Sequence, residues 1–365
     1  MFKNLSRGAL LAACVAASPS FAQTAAGAPS APLKAAFVYV TPVGQAGWTY
    51  QHEQGRLAME KALGAAVKST VVEAVPEGPD SERVMRDLTA QGHGLIFATS
   101  FGYLEPALRV AADFPNAKFE HVGGYKTAAN LGTYNARFYE GRWLAGYLAG
   151  KVSKSGAAGY VAGFPVPEVI QGINAFTLGM QAANPKAQVK VLWLNTWFDP
   201  AREREAALSL VHAGADVLTH HSASPAVPQA AEEKGVHLLA FHSDMSRFAP
   251  EAQLAAVVAN WGGYYTRVAK SVMDKRWKPT PVWGGIKDGM VELAALNPRL
   301  PQALREEVLA KQRAIAQGKL NPFAGRLVDQ SGHVRLEKGA LDDAAIGRMD
   351  WFVAGVQGTL PTAAK

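Results

Sequence analysis

From residue 34 onward, short runs of β-branched and small apolar residues alternate with longer amphipathic runs, and the alternation starts twice. Such a chain can build parallel sheets only if each strand returns through a helical crossover, which confines it to the α/β class. The first series reads as strands over 34–40, 68–75, 94–98 and 118–122, with helices over 48–63, 81–91, 104–113 and 139–152. After a turn at 153–156 the second series reads as strands over 157–161, 189–194, 217–220 and 237–240, with helices over 169–183, 201–212 and 228–234. Residues 253–273 read as one further long element, and 282–293 as a strand pair turning at Lys287-Asp288-Gly289. Two similar series predict two similar lobes, and 365 residues exceed what a single core usually holds.

Ahead of the first strand, Lys3 and Arg7 precede an apolar stretch over 8–17, and Ser20-Phe21-Ala22 has small residues at the cleavage positions. That is the pattern of a secretory leader, too short to span a bilayer. Leu11-Ala12-Ala13-Cys14 also fits a lipobox, so a form anchored through a lipidated Cys14 stays open. Cleavage after Ala22 removes the only cysteine, and with it any disulfide, thiolate nucleophile or cysteine metal site. It also lowers the net charge from +7 to +5, because the leader's charges are Lys3 and Arg7. The positive charge is scattered, without the basic stripe and interleaved aromatics that nucleic acid needs, so no nucleic-acid partner is expected.

Ligands of open parallel sheets bind beyond the carboxyl ends of the strands. That rule selects the loops 41–50, 99–103, 195–200, 221–225 and 242–245, which hold Trp48, Tyr50, Phe101, Tyr103, Trp197 and Phe198. Rings gathered at strand ends suit a flat ligand; singly, each could equally pack a hinge. His220, His221 and His242 suggest a metal cluster only superficially, because adjacent strand residues point to opposite faces, and no metal or cofactor is expected. Asp199 before Pro200 reads as a helix cap, with Arg202, Glu203, Arg204 and Glu205 as a solvated face. There is no G-x-S-x-G, post-strand G-x-G-x-x-G, P-loop or H-E-x-x-H.

Five segments, in order, carry a family resemblance: NARFYEGRWLAGYLAG at 135–150, VAGFPVPEVIQGINAF at 161–176, WFDPAREREAA at 197–207, GADV at 214–217 and SDM at 243–245. The chain resembles the basic membrane protein (Bmp) family of substrate-binding proteins, which serve ABC transporters and bind purine nucleosides and related bases. The resemblance implies a two-lobed periplasmic binding protein of type I, each lobe a parallel sheet flanked by helices. The expected organisation is a signal peptide over 1–22, a linker over 23–33, one lobe from 34–135 and 261–281, the other from 136–260 and 282–330, and a C-terminal extension over 331–365 packed on the lobes. It further implies a monomer in the periplasm, a purine cargo and an inner-membrane ABC permease as partner, without enzymatic activity.

The resemblance also assigns site residues. A stacking aromatic falls on Trp48, followed by Thr49, and the family's base-recognising acidic side chain near the first crossover falls on Tyr139, beside the matching Arg137 and Glu140. The acid that holds ribose hydroxyls falls on Asp244. The lysine that nucleoside-binding relatives use should fall near Asn260 and Trp261, and this chain has none there. A Trp261 in the space a sugar would occupy, together with Trp197, favours a free base such as adenine; Phe101 is a further ring from the strand-end loops. A nucleoside, a sugar or amino acid, and a purine-processing hydrolase or phosphorylase stay open as alternatives.

Overall fold

The computed structural model describes Met1 and residues 31–361, so the leader, Cys14 and most of the linker lie outside the described residues. The chain begins β1 (Leu33–Val38), α1 (Trp48–Leu63), β2 (Val67–Val72), α2 (Pro79–Ala90), β3 (Leu95–Ala98), α3 (Leu104–Asp113), β4 (Lys118–Val122) and β5 (Leu131–Ala136). It continues α4 (Phe138–Val152), β6 (Ala157–Ala162), α5 (Pro167–Ala183), β7 (Gln188–Trp193), α6 (Pro200–His212), β8 (Val217–His221), α7 (Ala226–Lys234), β9 (His237–His242) and β10 (Gln253–Ala259). Then come α8 (Gly262–Met273), β11 (Pro281–Gly284), β12 (Val291–Ala294), α9 (Gln302–Ala316), β13 (Leu327–Val328), β14 (Val334–Leu336), α10 (Asp343–Gly347) and β15 (Val356–Gln357).

Two sheets result. The first has the order β11-β5-β4-β3-β1-β2 and is parallel throughout. The second has the order β12-β10-β9-β8-β6-β7-β15, with only β12 antiparallel. Leaving the edge additions aside, both follow one plan: the second strand lies outside the first, and the third lies on its other side. The order therefore reverses between β1 and β3, and again between β6 and β8, which creates two switch-point crevices. Central strands such as β3 and β10 are buried along their whole length, as both-sided helix cover demands.

Three expectations need correction. The stretch 253–273 is two elements, because the β-branched run ends at Ala259 and the helix starts only at Gly262. The stretch 282–293 is not a paired hairpin: the turn at 285–289 is present, but β11 joins the first sheet and β12 the second. The last crossing between the sheets thus follows Gly284 rather than Pro281. Glu203 is fully buried, whereas Arg202 and Glu205 are exposed, so that face is solvated only in part. Asp199 does cap α6, accepting from the Arg202 N–H at 3.0 Å.

Residues beyond 325 wrap the second lobe. β15 adds to β7, Gln171 on α5 donates to the Ile346 carbonyl at 2.8 Å, and Asn174 donates to the Trp351 carbonyl at 2.8 Å. Among the described residues, no helix is long and apolar enough to cross a membrane.

Candidate ligand-binding cleft

The carboxyl ends of both sheets face one cavity of about 810 Å³. From the first lobe it is lined by Trp48 after β1, Phe101 after β3, Tyr125 after β4 and Asn135 at the end of β5. The second lobe supplies Glu168 at the start of α5, Trp197 after β7, His221 at the end of β8 and His242 at the end of β9. Trp283 on β11 and Asp343 and Arg348 from the C-terminal segment complete the rim.

The lobes meet around this space. The Gly47 N–H donates to Ser243 Oγ at 2.8 Å, and Asn135 Nδ2 donates to Glu168 Oε2 at 2.7 Å. Trp197 Nε1 lies 3.3 Å from Glu77 Oε1, which also accepts from Ser100 Oγ at 2.6 Å and from the Gly102 N–H at 2.9 Å. Glu77 therefore ties the loop carrying Phe101 to the loop carrying Trp197.

The rings are held in set orientations. Trp48 Nε1 donates to the Thr99 carbonyl at 2.8 Å, and the ring stands edge-on to His52 at 4.4 Å and His242 at 4.9 Å. Trp197 packs against Phe164 at 4.9 Å, and a Cβ at Gly163 would stand 2.7 Å from its Cε3, so glycine makes room for the indole. The floor is built from buried imidazoles. His221 and His242 lie 5.1 Å apart, and burial drives both well below the usual histidine range, so they are neutral. His242 also adopts φ +69°, a strained left-handed conformation for a non-glycine residue, at the point where its side chain meets the cavity. Burial pushes the Glu168 carboxyl up to about 7, ahead of the opposing effects of the Asn135 hydrogen bond and the Arg142 charge. Glu203 shapes the site from behind, accepting from Ser222 Oγ at 2.8 Å and Ser224 Oγ at 2.7 Å in the loop that carries Ser222 and Ala223 to the cavity.

Of the eight residues assigned to the site from sequence, the structure brings Trp48, Phe101 and Trp197 together on the cavity and leaves five off it; the other strand-end rings, Tyr50, Tyr103 and Phe198, do not line it either. Thr49 is buried, its hydroxyl 2.6 Å from that of Thr41. Tyr139 accepts from Arg137 Nη1 at 2.7 Å and packs on Trp283 and Phe323, away from the cleft. Asp244 is exposed and off the cavity, its Oδ1 accepting from the Ser246 N–H at 2.9 Å and Gln253 Nε2 at 2.7 Å in the turn. Asn260 donates to Glu292 Oε1 at 3.0 Å. Trp261 is 1% exposed, stacked on His52 at 5.0 Å and edge-on to Trp48 at 6.0 Å, so it braces Trp48 from behind.

Residues that sequence reasoning missed include Asn135, Glu168, His221 and His242. The signal was available: Asn135 opens one resemblance segment, Glu168 lies inside another, and both histidines stand in strand-end loops. Among the described residues, no group of three His, Cys, Asp or Glu is placed to hold a metal ion.

Comparison with known proteins agrees with this architecture. A purine-binding protein of Brucella abortus is 46% identical over 330 residues, 90% of this chain and 94% of the relative. A Haloferax volcanii protein provisionally named an ABC transporter glucose-binding protein is 36% identical over 90% of this chain and 82% of its own length. Among solved structures, a solute-binding protein of an ABC transporter from Aeropyrum pernix superposes with a TM-score of 0.67 at 18% identity, covering 80% of this chain and 93% of that one, which speaks to the fold. Residues 33–325 match the model of the family described as ABC transporter substrate-binding protein, PnrA-like. With two sheets of one plan closed on an aromatic cleft and a family match across both, the chain belongs to the PnrA-like substrate-binding proteins of ABC transporters.

Proposed function

We propose that the protein is the periplasmic cargo-binding component of an ABC importer, and that its cargo is a purine, bound as the free base adenine in preference to a nucleoside. The observation that carries this reading is the cavity itself: the rings of Trp48, Phe101 and Trp197 around a space whose inner polar side chains are hydroxyls, amides, neutral imidazoles and a carboxyl raised to about 7, with the charged Asp343 and Arg348 at the exposed rim. Stacking on aromatic faces with a few directed hydrogen bonds is the economy of a flat heteroaromatic ligand. The purine-binding name of the Brucella relative points the same way. The base is favoured over the nucleoside because, among the described residues, no lysine lines the cavity, Asp343 is engaged by Arg137 and Asp244 stands outside, so neither the lysine nor the acid that the resemblance assigns to a ribose faces this space. Export by the leader and delivery to an inner-membrane permease complete the proposal.

The glucose-binding name of the haloarchaeal relative favours a second reading, a sugar cargo. Titration calorimetry of the mature protein with adenine, adenosine and glucose separates the three. Adenine is expected to bind tightest and unchanged; glucose binding without purine binding would overturn the proposal.

A further inference from the structure

At the centre of the cleft, Glu168 begins α5 immediately after Pro167, and its side chain is 19% exposed. Oε2 accepts from Asn135 Nδ2 at 2.7 Å, and the amide is fixed in that sense because Asn135 Oδ1 accepts the Ala136 N–H at 2.8 Å. Oε1 lies 3.5 Å from His221 Nε2. Arg142 lies near enough to favour the anion and Arg348 lines the same cavity, but neither forms an ion pair with this carboxyl. Arg142 on α4 gives its guanidinium to Thr219 Oγ1 at 2.9 Å and the His220 carbonyl at 2.6 Å, over the ring of Phe241. His220 and His221 of β8 and His242 of β9 are neutral by burial, and Tyr160 of β6 keeps its proton. Asp343 on α10 is paired with Arg137, and Arg348 just beyond stands exposed on the rim. The α5 amino terminus favours the anion, as such termini do. Burial nevertheless prevails, and the group titrates near neutrality, at about 7.

We propose that Glu168 selects the cargo, hydrogen-bonding as a neutral carboxylic acid, one donor and one acceptor side by side, to an edge of a heteroaromatic base where an N–H adjoins a lone-pair nitrogen. This rests on the purine reading above and names the group that would read the purine. A carboxylate offers only acceptors and would set a charge against the ring nitrogen's lone pair. The neutral acid offers its hydroxyl to that nitrogen, while the carbonyl oxygen, which already accepts from Asn135, has a second lone pair for the exocyclic N–H. Adenine carries that donor–acceptor pair beside its amino group; a sugar has no equivalent edge.

The binding-competent form is then the protonated fraction, so apparent affinity falls as pH rises through the folded pKa. Adenine titrations are made between about pH 6 and pH 8.5, where adenine itself stays neutral, on wild type, Glu168→Gln and Glu168→Ala. Wild type is expected to weaken roughly tenfold per pH unit above about 7. Glu168→Gln, whose amide is a permanent donor–acceptor pair, should bind within a few-fold of wild type at the acid end and stay flat with pH. Glu168→Ala should bind at least roughly tenfold more weakly at the acid end. Adenine binding by wild type that ignores pH, or a glutamine variant as weak as the alanine one, overturns this inference and leaves the purine reading standing. No purine binding by wild type at any pH overturns both.

Discussion

Trp48 cannot turn freely: its indole N–H is committed to the Thr99 carbonyl, His52 and His242 stand edge-on to it, and Trp261 backs it. A face held this way reaches the ligand without losing rotamer entropy on binding. Trp48→Ala is therefore expected to weaken adenine binding by at least roughly tenfold, about 1.4 kcal/mol, and to abolish most of a ligand-induced fluorescence change. Asp244→Asn is the matched control at an exposed turn, expected to leave affinity within about twofold. Calorimetry of the two variants side by side checks the pair. A second residue-scale expectation concerns acid. His52, His121, His220, His221 and His242 are all buried with pKa values below the ordinary 6.5, burial being the first cause in each. A depressed histidine contributes stability that is present above the unfolded pKa and lost as pH falls below it, at up to about 1.4 kcal/mol per group per pH unit. Glu120 and Glu168, each raised to about 7, and Glu140 and Glu203, also raised by burial, act in the opposite sense, since the fold favours their protonated forms. The five histidines are lowered further in sum than the four carboxyls are raised, so the unfolding free energy should drop between about pH 7 and pH 5. Denaturant titrations at the two values decide it, and equal stabilities would contradict the neutral-histidine floor.

At the scale of elements, the closest packing in the molecule is α4 on α5. A Cβ at Gly146 would run into the Phe176 carbonyl, one at Gly179 into the Trp143 carbonyl, and one at Gly150 into the Met180 carbonyl. The backbones touch, so neither helix can move aside without disturbing the sheet below. Gly146→Ala should gain helix propensity worth about 1 kcal/mol and lose more than that to overpacking, for a net loss of at least about 2 kcal/mol in a denaturation experiment. These elements also show what the sequence could convey. Strand–helix alternation was legible because parallel strands buried on both faces must be apolar and their crossovers amphipathic. β5 was not legible: LGTYNA carries a glycine and an asparagine, and the strand exists because β4 and β11 pair with it on either side. The hairpin-like run at 282–293 misled because a local turn does not say whether the flanking strands pair with each other or with different sheets. In the cleft the positions of the aromatics and of His221 and His242 were readable from the strand-end rule, while Glu168 and the neutral state of the histidines were not. Their environment is set by burial and by partners such as Asn135 from the other lobe, a contact between residues distant in sequence.

For the whole molecule, the question is what closes two lobes that share three crossings, at Arg137, at 260–261 and at 285–290. Ligand can drive closure only through contacts absent from the open form. Gly47, just before α1, makes a contact that parting the lobes would break, donating its N–H to Ser243 Oγ in the second lobe at 2.8 Å. Its φ is +92°, which disfavours any side chain. A Cβ there would also stand 2.6 Å from the Ala223 carbonyl oxygen, again in the second lobe. The backbone strain of an alanine, about 1–2 kcal/mol, can relax while the loop is free. The clash with Ala223 arises only when the lobes meet. Gly47→Ala should therefore act on closure rather than on the fold. Adenine affinity should fall roughly tenfold or more, because the competent closed state is less populated, while the melting temperature without ligand shifts by only a few degrees. Small-angle scattering should show a smaller ligand-induced compaction than in wild type. Wild-type affinity in this variant would mean that the loop before α1 yields at no cost and that closure does not depend on the Gly47 seat.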